Sequence, residues 1–394
     1  VLFIGNSYTY VNNLPQLVKD LALSKGDTLI FDSSAPGGYT FFNHYNDITT
    51  KNKISQGNWD YVVLQAQSQE PSFSPGQVSS QTLPYAILLD SLIKHYNSCA
   101  TTVFYETWGR KFGDAGNCAN YPPLCTYTGM QNRLRESYQL FADTTKALMA
   151  PVGEAFRLSI ATTPTLDLYQ SDQSHPSMEG SYLAASVFYE TLFQKSVLST
   201  TYNAGLAAGT ATYLNQVAHQ ITSDSIYITN IPKYIPKAAF TFTAQGTSGF
   251  QFQSTNPNFL HYWYFGDGTT SAAINPLHTY TNSGTYPVSL VVYNAPYCKK
   301  DSVSTNVQVT VPTGLTKNRQ DALKLYPNPC SDFLKIELEG NENVVIRITN
   351  ISGQLIYEAE NTKTVITSAF PKGFYNLDIS GSFGLYHSCF IKNE

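Results

Sequence analysis

The chain has 394 residues, more than one ordinary domain holds, so two or three domains are expected. Lys and Arg total 24 against 28 Asp and Glu, a net charge of −4 with no Lys/Arg-rich run, which excludes a nucleic-acid partner because that needs a basic face. Charged residues make up only 13%, with 28 Tyr, 22 Phe and many Ser, Thr and Asn in their place; this suits an extracellular protein handling neutral, hydroxyl-rich ligands, and no apolar run approaches the ~20 residues of a membrane span.

Short apolar runs rich in β-branched and aromatic residues predict strands at Val1–Gly5, Thr28–Asp32, Tyr61–Ala66, Thr101–Tyr105 and Ala150–Ala155. Val1 lies inside the first of these, so the N-terminus reads as trimmed, with a signal peptide expected before it. Helical stripes separate the strands. Leu14, Leu17, Val18 and Leu21 form one, with Asn13 and Pro15 as start signals and Gly26 as a stop. Tyr85 to Tyr96 and Met130 to Phe141 form two more, and Ser177–Phe193 and 203–222 complete the set. Strand–helix alternation with nearly continuous apolar strands predicts an α/β fold: a parallel sheet covered on both faces.

From about residue 233 the helical period disappears. Ile231–Pro236 reads as a linker, followed by short alternating strands such as FTFTA, HYWYF and YPVSLVVY. Pro312–Asn318 reads as a second junction, and the last 70 or so residues are again short strands. Three domains are therefore expected, at 1–232, 233–312 and 313–394, the last two all-β. None of the six cysteines forms C-x-x-C, so a structural zinc site is not expected, and the sequence calls for no other metal or cofactor. Cys118 and Cys125 bracket CANYPPLC and can close a disulfide in an oxidising compartment.

Two segments carry chemistry. Gly5-Asn6-Ser7 ends the first strand, and ligands of open α/β sheets gather at the carboxyl ends of strands. Asp172-Gln173-Ser174-His175 precedes a helix after the last strand; an Asp three residues before a His can bend back to Nδ1–H and leave Nε2 to take a proton from a Ser. Taken singly, each segment is better read as structural, Ser7 as an N-cap or turn residue and His175 as a loop histidine beside a capping Asp. Together, on one edge of one sheet, they describe a Ser7–His175–Asp172 triad. The loop 106–131 is placed to roof it, and Trp108 and Arg110 are candidate substrate contacts with a purely structural loop as the equal alternative.

At these residues the chain resembles the SGNH/GDSL hydrolases, whose fold is a flavodoxin-like three-layer sandwich. GNSYTY resembles the block around the nucleophile, with Asn6 where many members carry Asp. APGGYT resembles the second block, whose glycine lends its N–H to the oxyanion; Gly38 is the matching position. DQSHPS resembles the final D-x-x-H block. The resemblance covers about residues 1–225 and implies an oxyanion hole made by the N–H groups of Ser7 and Gly38. The third block departs from the family pattern. Its oxyanion Asn is missing from LQAQSQE, and a glutamine amide, Gln67 or in a competing alignment Gln69, is expected to replace it.

HYWYFGDGTT with HTY and GTYPV resembles a PKD-type β-sandwich, in which Asp267 reads as a turn residue and His278 as structural. LYPNP, ISGQ and PKGFY resemble the C-terminal sorting domain of type IX secretion over 323–394. That resemblance implies contact with the secretion machinery and a place outside, or attached to the surface of, a Gram-negative bacterium. The function implied is hydrolysis of acyl esters, acetyl groups on a small molecule or polysaccharide first, through the triad and without a cofactor. The alternatives are a lipid or aryl esterase, or a non-catalytic surface binding protein on an esterase scaffold.

Overall fold

Strands of three to five residues cannot bury themselves, and five of them pair side by side: β1 (Leu2–Ile4), β2 (Asp32–Ser34), β3 (Tyr61–Leu64), β4 (Thr101–Tyr105) and β5 (Leu148–Ala150). This is a computed structural model; it describes residues 1–224, 228–311, 323–338, 343–381 and 384–393. All pairings are parallel, in the order β2-β1-β3-β4-β5 of flavodoxin-like folds.

The period of two divides each strand between two cores. Phe3, Val63, Val103 and Leu148 face one side, under helices Leu14–Ser24, Val152–Thr162, Met178–Phe193 and Ala208–Asp224. Leu2, Ile4, Val62, Leu64, Phe104 and Met149 face the other, under helices Leu83–Tyr96 and Tyr127–Thr145. This is the three-layer arrangement expected from the sequence. Because β1 has β2 on one side and β3 on the other, the chain reverses its winding there. A crevice opens at the carboxyl ends of β1 and β3.

Two strand expectations shift. Pairing on the second strand falls at Asp32–Ser34, not Thr28–Asp32, since Leu2 lies opposite Asp32 on this edge and Ile30 is left exposed. The run Ala150–Ala155 is split by Pro151. Proline cannot donate to a sheet ladder but suits a helix start, so the strand ends at Ala150 and a helix that the sequence reading missed begins at Val152.

The chain forms two compact units, Val1–Thr310 and Val311–Glu394. The first also contains an antiparallel sandwich. One sheet is β6 (Phe240–Gln245), β7 (Gly249–Ser254) and β10 (Leu277–Thr279). The other is β8 (Leu260–Tyr264), β9 (Thr270–Ser271), β11 (Gly284–Asn294) and β12 (Lys299–Val309). Phe252, Trp263, Phe265 and Tyr280 fill its core. Asp267 accepts from Thr269 N at 3.0 Å and from His278 Nε2 at 2.7 Å, closing the turn.

The β11–β12 connection plugs into the amino edge of the parallel sheet. Cys298 is disulfide-bonded to Cys99, just before β4. Tyr297 donates its hydroxyl to Lys146 O at 2.7 Å, before β5, and Lys299 lies 4.7 Å from the ring of Tyr61, the first residue of β3. The sandwich is thereby fixed at the edge opposite the crevice.

In the second unit, β13 (Leu323–Tyr326), β14 (Phe333–Leu338) and β17 (Thr364–Ile366) form one sheet. β15 (Val344–Asn350), β16 (Leu355–Glu360), β18 (Gly373–Gly381) and β19 (Gly384–Lys392) form the other, over a core of Leu334, Ile346, Ile348, Leu377 and Ile379. The junction expected at Pro312–Asn318 lies outside the described residues. Among the described residues no helix is long and apolar enough to cross a membrane.

Candidate active site

The turn after β1 is built by buried polar groups. Gln65, which follows β3 and is fully buried, accepts Asn6 N at 2.8 Å and Thr9 Oγ1 at 3.0 Å. A Cβ on Gly5 would come within 2.6 Å of Gln65 Oε1 and 2.3 Å of Thr9 Oγ1, so only glycine fits there. On the other side His44 Nε2–H donates to Gly5 O at 2.8 Å, and its Nδ1 faces Thr50 Oγ1 at 3.0 Å. Burial drives the His44 pKa down to about 4, so the ring is neutral. Asn6 caps the first helical turn by accepting Tyr8 N at 3.2 Å and donates Nδ2 to Tyr39 O at 3.0 Å. An Asp could accept there but could not donate. The asparagine ties the Ser7 turn to the Gly37–Tyr39 loop.

Ser7 opens the short helix Ser7–Tyr10. Its Oγ lies 2.8 Å from His175 Nε2, and His175 Nδ1 is hydrogen-bonded to Asp172 Oδ2. The D-x-x-H segment closes on itself because Gln173 takes a left-handed backbone, φ +62°, and Asp172 Oδ1 accepts Ser174 N at 3.1 Å and His175 N at 3.0 Å. Burial raises the Asp172 pKa, but the bonds from the His175 ring and these two N–H groups outweigh it, and the carboxyl is held below its ordinary value. The three residues proposed from sequence meet across 168 positions of chain.

Gly38 sits with φ +72° on the exposed loop that Asn6 anchors, a backbone that favours glycine; its N–H takes no acceptor among the described residues. Gln67 departs from expectation. Its Oε1 accepts Gln69 N at 2.7 Å and Glu70 N at 3.2 Å, and its Nε2 donates to Gln69 Oε1 at 3.2 Å. The loop after β3 has no ladder to satisfy its backbone, and the nearest side-chain oxygen does so. Gln69 donates Nε2 to Asp114 Oδ2 at 2.7 Å. Neither amide bonds to Ser7.

Trp108 is fully buried and is not a surface contact. It is stacked between Tyr8 (4.7 Å) and Phe156 (4.1 Å), and its Nε1 donates to Ser174 O at 3.0 Å. Tyr8 in turn shares a 2.7 Å bond with Ser174 Oγ and meets the His175 ring edge-on at 5.5 Å. Trp108 braces the histidine loop, and its large apolar ring is better buried than offered to water. Arg110 is partly exposed and pairs with Asp114 at 3.2 Å. Cys118 and Cys125 are disulfide-bonded, as expected.

Residues 234–311 match the PKD domain family. Residues 324–393 match the secretion system C-terminal sorting domain. Over the N-terminal half, the chain is similar to a DUF4886 family protein from Bacteroides uniformis, 18% identical over 56% of this chain and 93% of that one, with a TM-score of 0.49. A candidate SGNH hydrolase of Slackia heliotrinireducens is 28% identical over 48% and 97% of the two chains, with a TM-score of 0.40. The PKD1 domain of Epp from Vibrio anguillarum is 26% identical over 20% and 96%, with a TM-score of 0.18. No curated protein matches the chain.

Sequence reasoning missed Gln65 and His44. Gln65 was the visible anomaly, a polar residue directly following the apolar Val62-Val63-Leu64. His44 gave no signal, because its partners are a backbone carbonyl and a threonine.

Proposed function

We propose that the first unit is a serine esterase in which Ser7 is the nucleophile, His175 the general base and acid, and Asp172 the group that fixes the histidine tautomer. One observation carries this reading: Ser7 Oγ lies 2.8 Å from His175 Nε2 while Asp172 holds Nδ1. Oγ attacks the ester carbonyl and its proton passes to Nε2. The oxyanion takes the N–H groups of Ser7 and Gly38. Collapse expels the alcohol, which receives the proton from Nε2, and water repeats the sequence on the acyl-enzyme. The charge-poor, hydroxyl-rich composition supports a neutral substrate, with acetyl esters of carbohydrate foremost. The sorting-domain match supports type IX export to the exterior or surface of a Gram-negative cell.

The test is turnover of p-nitrophenyl acetate by wild type and Ser7→Ala. Loss of the nucleophile should lower kcat by at least ~10³-fold with an unchanged melt. Full activity in Ser7→Ala would end the proposal.

A further inference from the structure

Asp172 and His175 belong to one loop, three residues apart, so their bond fixes the ring within that loop and not against Ser7. The distance from His175 Nε2 to Ser7 Oγ, 168 positions away in the chain, has to be set by other contacts. Two of these come from the segment that carries the nucleophile, and they fall on either side of His175. Before it, the Tyr8 hydroxyl shares a 2.7 Å hydrogen bond with Ser174 Oγ. After it, Asn12 Nδ2 donates to Pro176 O at 3.1 Å, Ser177 O at 3.0 Å and Ser181 Oγ at 2.9 Å.

Both side chains are themselves held. Tyr8 is 2% exposed and lies flat against Trp108, whose Nε1 donates to the same Ser174 through its carbonyl. Burial raises the Tyr8 pKa and outweighs the hydrogen bonds with Ser174 and Ser68, so the phenol stays neutral and keeps its proton to share. Asn12 has a left-handed backbone, φ +55° and ψ +16°, which interrupts the helical run between Ser7–Tyr10 and Leu14–Ser24. Asparagine visits that conformation more readily than most residues with a Cβ. Its amide, not a carboxylate, suits three oxygen acceptors.

We propose that Tyr8 and Asn12 are positioning residues that set the spacing of nucleophile and base, Tyr8 through Ser174 and Asn12 through Pro176 and Ser177. The role rests on the triad reading of Ser7, His175 and Asp172. The test measures kcat and KM of the full chain on p-nitrophenyl acetate. Tyr8→Phe keeps the ring stack and loses the hydroxyl; Asn12→Gly keeps the left-handed backbone and loses the amide. Each should lower kcat roughly tenfold, the upper worth of one neutral hydrogen bond, while KM stays within about twofold. Ser174→Ala removes the partner without touching the ring stack. It should match Tyr8→Phe, and the two combined should be no worse than either, because both delete the same bond. Wild-type kcat in Tyr8→Phe and Asn12→Gly, in an enzyme that Ser7→Ala inactivates, overturns the positioning role and leaves the esterase standing. A loss carried by KM with kcat intact overturns it as well, since the segment then shapes substrate binding. Undiminished turnover in Ser7→Ala overturns the triad and the positioning role together.

Discussion

Replacing Gln65 with Leu keeps the volume near constant and removes one acceptor that serves two buried donors, Asn6 N and Thr9 Oγ1. Asn6 and Thr9 are each no more than 2% exposed, so water cannot take over. An abandoned buried donor costs about 1–3 kcal/mol, giving roughly 2–6 kcal/mol for the pair. A domain of this size shifts its melting temperature by about 2–4 °C per kcal/mol, so the melt should fall roughly 5–20 °C. The fold survives, since that loss is within the usual 5–15 kcal/mol of stability. Ser7 directly follows the released Asn6 N–H, and a displacement of ~1 Å in a pre-organised site costs ~10² in rate. Circular dichroism melts paired with p-nitrophenyl acetate kinetics should show both effects, with kcat falling more than KM rises. Gln67→Ala is the control: its amide closes its own loop, so kcat should drop less than in Gln65→Leu. A wild-type melt and wild-type kcat for Gln65→Leu, or a 10²–10³-fold loss confined to Gln67→Ala, would refute the assignment of these two amides.

His44 makes acid sensitivity specific. Its folded pKa of about 4 lies below the ordinary 6.5, so between these values the unfolded chain takes up a proton that the folded chain refuses. Stability from this group is complete above pH 6.5 and falls as the pH drops toward 4; two units of pH are worth about 2–3 kcal/mol. Urea midpoints at pH 7 and 4.5 should therefore differ less in His44→Gln than in wild type, and equal differences would show that His44 does not titrate this way. Replacing Cys99 and Cys298 together with Ser opens a linkage of sequence separation 199, for which chain entropy sets a ceiling of about 5 kcal/mol. The melt of the first unit should fall while ethyl acetate turnover at 25 °C persists; an unchanged melt would mean that the surrounding contacts alone hold the sandwich in place.

The strand–helix alternation and the meeting of Ser7, His175 and Asp172 were legible because each rests on local signals: apolar period, Pro and Gly punctuation, and a D-x-x-H spacing that one left-handed residue folds shut. Less legible were features decided by distant partners. The strand end at Ala150 turned on Pro151 inside an apolar run. Trp108 was a candidate substrate contact because its loop is placed over the site, and only the ring stack with Tyr8 and Phe156 shows that it is buried. Gln67 matched a family position, but the backbone of its own loop claimed its oxygen. The Cys99–Cys298 pair was invisible in the spacing, since nothing local links a loop before β4 to the β11–β12 connection.

That pair also changes what a protease can do. The bond joins the chain to itself around most of the first unit, so one cut in an exposed loop between residues 99 and 298 would release no fragment. Both pieces would remain joined through sulfur, with the crevice residues on either side still held by the sheet. A nicked molecule would migrate as full length without reductant and as two bands with it. Damage to a loop would then cost the molecule its continuity of backbone before it cost it Ser7, His175 or the sandwich behind them.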